Sequence, residues 1–268
     1  MPFVKTPRLT HYVEHGGNGT PLLVLNGTGA DLRQKPKIMD SPLTTHFAVT
    51  AFDQRGLGQT DKPDGTYTMA DYAKDAAALM DALGLETACV LGISFGGMVA
   101  QELAIRFPSR IKKLALWCTA SGGNGGASYP LHELADLDED TRLRMMMKLN
   151  DARIDDAVID DNPELLDMAR QRTDLSAYAH EPRWAEGRAA QLAARAQHDC
   201  WERLDQITCP TWLGGGKYDN IATPDTMQAL ASRISDSTLT LYEGGHLFML
   251  QDGKAFPELV AFFKKETA

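Results

Sequence analysis

Gly92-Ile93-Ser94-Phe95-Gly96 is the stretch of this 268-residue chain with the clearest chemical reading. Small residues two positions either side of a serine let a strand turn sharply into a helix and leave the hydroxyl exposed at the turn. The flanks suit that geometry: Ala88–Gly92 is an apolar strand-type run, and Met98–Ala104 opens a helical one. The plain alternative is a glycine-rich turn with no chemistry. A serine hydroxyl is a weak nucleophile at neutral pH and needs a base within hydrogen-bond reach, itself oriented by a carboxylate. Two later loops supply them. Asp219 follows the run that ends at Gly214-Gly215-Gly216, and His246, preceded by Gly244-Gly245, follows the run that ends near Tyr242. Asp199 beside His198 is a rival acid–base pair, but it lies in a helical pattern and reads as structural.

Positioning these loops together requires a sheet. From about Pro21 to Thr119, short apolar runs alternate with helical patterns: Pro21–Leu25, His46–Phe52, Ala88–Gly92 and Lys113–Trp117. Runs apolar at nearly every position suit strands covered on both faces, so the fold class expected is α/β, a mainly parallel central sheet flanked by helices. Met69–Leu83 reads as a helix, with Thr68 able to cap its start and Gly84 to close its end. From about Ser121 to Gln206 strand signals stop and the sequence turns charged, Met-rich and helical. The organisation expected is a core of residues 1–120 and 207–268 with a helical cap inserted at 121–206. Strand texture returns at Pro210–Gly214 and Thr238–Tyr242, and Ala255–Lys265 reads as a closing helix. Leu9–Glu14 alternates enough for an edge strand. In a parallel sheet the loops of Ser94, Asp219 and His246 all fall at the carboxyl edge, where open α/β folds place their sites.

Composition narrows the partners. Hydrophobic residues make up 43% and charged residues 24%, which argues for a packed globular chain. A formal net charge of -9 repels nucleic acid and anionic lipid. No apolar run is long enough to span a membrane, and the first residues lack a signal-peptide core, so the expected location is cytoplasmic. The histidines show no ligand spacing, Cys89 and Cys118 fall in runs read as buried strands, and Cys200 and Cys209 are too scattered for zinc. They read as inert thiols, and neither a metal nor any other cofactor is implied. Oligomeric state is not legible.

With these residues in place the chain resembles the α/β-hydrolase superfamily over essentially its whole length. It is similar in particular to the branch of 3-oxoadipate enol-lactonases, arylesterases and cofactor-free haloperoxidases. Asp53-Gln54-Arg55-Gly56-Leu57-Gly58-Gln59-Thr60 resembles that branch's D-x-R-G-x-G-x-S segment, with Thr60 for the usual serine, and Gly244-Gly245-His246 resembles its G-x-H loop. The order Ser94, Asp219, His246 is the family's triad order. Where the branch usually carries His-Gly beside its oxyanion hole, this chain has Asn26-Gly27-Thr28-Gly29. The departure is mild, because backbone N–H groups hold the oxyanion, and the donors expected are those of Thr28 and Phe95. Phe95 opens a helix, where free N–H groups and the dipole favour negative charge.

The remaining residues take plainer readings. Asp53 and Arg55 read as an ion pair that holds a loop. Met145-Met146-Met147, Trp184 and Trp201 could line an apolar pocket or form the core of the cap, with Met146, Trp184 and Asn26 the possible substrate contacts. Glu102 and Glu243 have no partner that makes them catalytic acids.

The leading expectation is hydrolysis of a small-molecule ester or lactone through an acyl-enzyme. Two alternatives stay open: hydrolysis of a C–C bond in a diketone-type substrate with the same triad, and, in a different class, a ligand-binding receptor that retains the triad.

Overall fold

The computed structural model of the protein describes residues 2–173 and 178–265. Eight strands form one sheet: β1 (Phe3–Lys5), β2 (Thr10–Gly16), β3 (Pro21–Leu25), β4 (Ala48–Phe52), β5 (Ala88–Ile93), β6 (Ile111–Trp117), β7 (Thr211–Gly216) and β8 (Ser237–Tyr242). Their order is β1-β2-β4-β3-β5-β6-β7-β8. The pairings of β2 with β1 and with β4 are antiparallel, and the other five are parallel. The mainly parallel α/β architecture read from the sequence is the one observed.

Continuous apolar strands are explained by the two layers that cover them. In β3, Leu23 and Leu25 enter one core cluster while Leu22 and Val24 enter the other, the period-two division of a strand buried on both sides. The first cluster takes in α1 (Met69–Ala82), α2 (Phe95–Arg106) and α7 (Pro224–Arg233), through residues such as Tyr72, Val99, Leu103 and Leu230. The second takes in α8 (Phe248–Gln251) and α9 (Ala255–Lys264), through Phe248, Leu259 and Phe263. The start of α1 is closed by a reciprocal box, with Thr68 accepting from the Asp71 N–H and the Asp71 carboxylate accepting from the Thr68 N–H, each at 3.1 Å. Just beyond its end, Gly84 sits at φ +67°.

The edge-strand expectation for Leu9–Glu14 is corrected. That segment is β2, which lies between β1 and β4; the edge on that side is the three-residue β1, too short to leave a pattern in sequence.

Between β6 and β7 no strand occurs among the described residues. The segment carries α3 (Glu139–Asn150), α4 (Asp156–Asp161), α5 (Glu164–Thr173) and α6 (Trp184–Ala196). It packs on the sheet's carboxyl edge through a small apolar cluster in which Leu134, Leu149 and Met146 meet Ile221, two residues past Asp219. No described helix is long and apolar enough to cross a membrane.

Candidate active site

Ser94 is the hinge between β5 and α2, and its backbone is strained: φ is +54° and ψ −115°, a region non-glycine residues rarely occupy. Local bonds hold it there. Its N–H donates to Trp117 O at 2.8 Å, and its carbonyl accepts from Thr119 Oγ1 at 2.8 Å. The glycines of the motif are needed for space. A Cβ on Gly96 would stand 1.9 Å from Leu25 O, and one on Gly92 2.5 Å from Gly96 O, so α2 can start against β3 and β5 only if both lack side chains.

The three residues singled out for nucleophilic chemistry meet at the sheet's carboxyl edge. Ser94 Oγ lies 3.0 Å from His246 Nε2, and His246 Nδ1 lies 2.7 Å from Asp219 Oδ2. The second carboxylate oxygen, Asp219 Oδ1, accepts the N–H groups of Ile221 at 2.7 Å and Ala222 at 2.9 Å. The carboxylate is fully buried, yet each of its oxygens accepts a hydrogen bond. With Asp219 on its Nδ1, the His246 ring presents Nε2 to the serine as acceptor.

The loops carrying the acid and the base are also tied to the end of α3. The Asn220 N–H donates to Leu149 O at 3.1 Å, the His246 N–H donates to Asn150 O at 2.6 Å, and the Ala152 N–H donates to Tyr218 O at 2.8 Å.

The loop Asn26–Gly29 lies against the nucleophile: a Cβ on Gly27 would be 3.6 Å from Ser94 Cβ. The N–H groups of Thr28 and Phe95 have no protein acceptor among the described residues. Thr28 Oγ1 is likewise buried and without a partner. Above them opens a cavity of about 400 Å³, lined by Ser94, His246, Asn26, Met146, Asn150 and Leu250 among others. Of the expected contacts, Asn26 and Met146 line it. Trp184 does not; it lies on α6 beneath the Arg188 guanidinium, 4.8 Å from the ring centroid.

Other expectations are redirected. Arg55 pairs with Asp75 at 2.7 Å instead of Asp53. The Asp53 carboxylate accepts the Leu32 and Gln59 N–H groups, each at 2.8 Å, and burial pushes its pKa up to about 7 against those bonds. Thr60 hydroxyl donates to Asp53 O, so the substituted position keeps a hydroxyl that ties the loop. Asp199 accepts the Trp201 N–H at 3.1 Å, and His198 is buried beside Cys200; neither lines the cavity. Met145 packs with Met146 in the small cluster, and Trp201 packs on the main core with Arg233 over its ring. Glu102 is bound by Arg106 and Arg203, and Glu243 by Lys217. Burial raises the pKa of all four cysteine thiols.

Asn150 and Leu250 were not legible as lining residues. The first ends a helix whose position depends on the fold of the whole segment between β6 and β7, and the second follows His246 in a segment with no distinctive pattern.

The fold is that of the α/β hydrolases, and comparison with known proteins agrees. The family model for the alpha/beta hydrolase fold matches residues 20–253. The chain therefore belongs to the α/β-hydrolase family. A 3-oxoadipate enol-lactonase of Acinetobacter baylyi is 28% identical over 252 residues, covering 93% of this chain and 91% of that one. A 2-hydroxymuconate semialdehyde hydrolase of a Pseudomonas species is 28% identical over 265 residues, covering 93% and 88%. The crystal structure of an enol-lactonase from Burkholderia xenovorans superposes with a TM-score of 0.79 at 23% identity, covering 99% of this chain and 100% of that one.

Proposed function

We propose that the protein is a serine hydrolase that cleaves a carboxylic ester or lactone through an acyl-enzyme on Ser94. One observation carries the reading: Ser94 Oγ, His246 and Asp219 form an unbroken hydrogen-bonded line beneath a cavity, with two backbone N–H groups beside the serine that have no protein acceptor among the described residues.

Ser94 Oγ attacks the carbonyl carbon while His246 Nε2 takes its proton, and Asp219 stabilises the imidazolium that forms. The carbonyl oxygen gains negative charge and is held by the N–H groups of Thr28 and Phe95. The tetrahedral intermediate then collapses, the C–O bond to the leaving alkoxide breaks, and His246 returns the proton to that alkoxide. Water repeats the sequence on the acyl-enzyme and frees the acid. For a lactone the leaving alcohol stays attached, so a single hydroxy acid is the product. This chemistry draws on no cofactor. In this reading residues 121–206 act as a cap that shapes the cavity over Ser94.

The test combines labelling and turnover. A serine-directed organophosphonate is expected to label Ser94, and Ser94→Ala to abolish both labelling and hydrolysis. Turnover is screened on short-chain chromogenic esters, cyclic lactones and vinylogous diketones. Multiple turnovers of esters or lactones support the proposal. Turnover of the diketone alone would replace it with C–C bond hydrolysis, the reading that the 2-hydroxymuconate semialdehyde hydrolase relative keeps open. A single slow turnover with retained ligand would replace it with a receptor.

A further inference from the structure

Gln191 is fully buried on α6, and its amide is used at one end only. Its Oε1 accepts the backbone N–H of Gly29 at 2.8 Å, across 162 residues of chain, while its Nε2 has no partner among the described residues. Three positions earlier on the same helix face, the Arg188 guanidinium lies against the same glycine, its nitrogens 3.9 Å from where a Gly29 Cβ would stand. Arg188 has no carboxylate partner among the described residues, and burial lowers its pKa.

Gly29 is the residue after Thr28, and it sits at φ +70°. A glycine there leaves the Thr28–Gly29 peptide free to take more than one orientation unless something holds it. At its other end the loop is fixed by Gln54, whose Nε2 donates to Asn26 O at 2.8 Å. Two glutamine amides, one from the core and one from the inserted segment, thus bracket the turn that presents the Thr28 N–H beside Ser94.

We propose that Gln191 is a positioning residue for the oxyanion hole: by holding the Gly29 N–H it fixes the peptide planes that aim the Thr28 N–H at the developing oxyanion. The inference rests on the acyl-transfer reading above. It makes α6 part of the catalytic apparatus without touching the reacting atoms. A donor aimed at a charge that exists only in the transition state acts on kcat, not on ground-state binding.

The experiment compares Gln191→Met, which keeps the side chain's length and removes the acceptor, with Gln191→Glu, which keeps the acceptor and has Arg188 one turn away to balance its charge. On a short-chain ester, Gln191→Met is expected to lower kcat about tenfold or more with KM within about twofold. Affinity for a trifluoromethyl ketone, which forms an anionic hemiketal on Ser94, should fall in parallel, and that of the corresponding unreactive amide should not. Gln191→Glu should stay within about threefold of the parent. Unchanged kcat and hemiketal affinity in folded Gln191→Met would overturn the proposal, as would a loss confined to KM. Should Gln191→Met not fold, Gln191→Ala gives the same comparison. Failure of the acyl-transfer reading is distinguished because it shows in the parent protein, as absence of Ser94 labelling and of ester turnover.

Discussion

His246 Nδ1 and Asp219 Oδ2 stand 2.7 Å apart, while the other Asp219 oxygen accepts two backbone N–H groups of its own loop. An asparagine at 219 can keep its carbonyl oxygen on those N–H groups, but it must then turn an NH2 toward Nδ1. The ring would be forced to present a proton to Ser94 instead of a lone pair. Asp219→Asn is therefore expected to fold with a near-parental melting temperature and to lose about four orders of magnitude in kcat. Stopped-flow and steady-state ester hydrolysis on the folded variant checks this. Near-normal turnover would remove Asp219 from the triad.

Gly96→Ala tests the close approach that makes the serine turn. Its Cβ would stand 1.9 Å from Leu25 O and 2.4 Å from Leu25 C, both main-chain atoms that cannot swing aside. Overpacking against backbone is expected to cost about 3 kcal/mol or more, seen as a sharply lower urea midpoint or as insoluble expression. Gly65→Ala, at a glycine with nothing within 4 Å of its Cβ but with φ +92°, should cost only the smaller backbone penalty.

His198 predicts an acid-side loss of stability. Burial pushes its pKa down to about 4 from 6.5. The unfolded chain binds the proton first, so stability falls as pH drops from about 6.5 towards 4. A shift of that size corresponds to about 3 kcal/mol at full development. Urea unfolding at pH 7.5, 6, 5 and 4.5 should show this slope in the parent and a shallower one in His198→Gln. Equal slopes in both would show that other groups, such as the buried His11, account for all of it.

Met146 lines the cavity from α3, and a bulkier side chain there should narrow it. Met146→Trp is expected to lower kcat/KM for a long-chain or aromatic ester about tenfold relative to an acetate ester, with phosphonate labelling of Ser94 preserved. A uniform loss on all esters would place Met146 away from the acyl or leaving-group path.

The centre of the sheet was legible because strands such as β3 announce themselves: Leu22 and Val24 serve one layer and Leu23 and Leu25 the other, leaving no polar position to disguise the run. Ser94, Asp219 and His246 were legible as a set because each follows a strand-type run, even the Thr-alternating one of β8, and a parallel sheet brings its carboxyl-end loops together. The pairing of Arg55 was not, since Asp75 is presented by α1 from 20 residues away and no spacing rule reports it. Gln191 was hidden for the same reason, at greater distance. Trp184 stayed open between pocket and core because a large aromatic on a helix indicates burial of some face without saying which, and it lies away from the cavity.

The hydrogen bonds from Asn220 and His246 to the last carbonyls of α3 bear on how this chain can be recombined with its relatives. A crossover at the borders of residues 121–206 would exchange the helices and keep the parental loops at 217–221 and 243–247, leaving Leu149 O and Asn150 O to be matched by chance. Chimaeras that carry those two loops together with the donated helices preserve the contact as a unit. The seam for recombination in this protein therefore runs along a set of hydrogen bonds and not along the ends of the segment between β6 and β7.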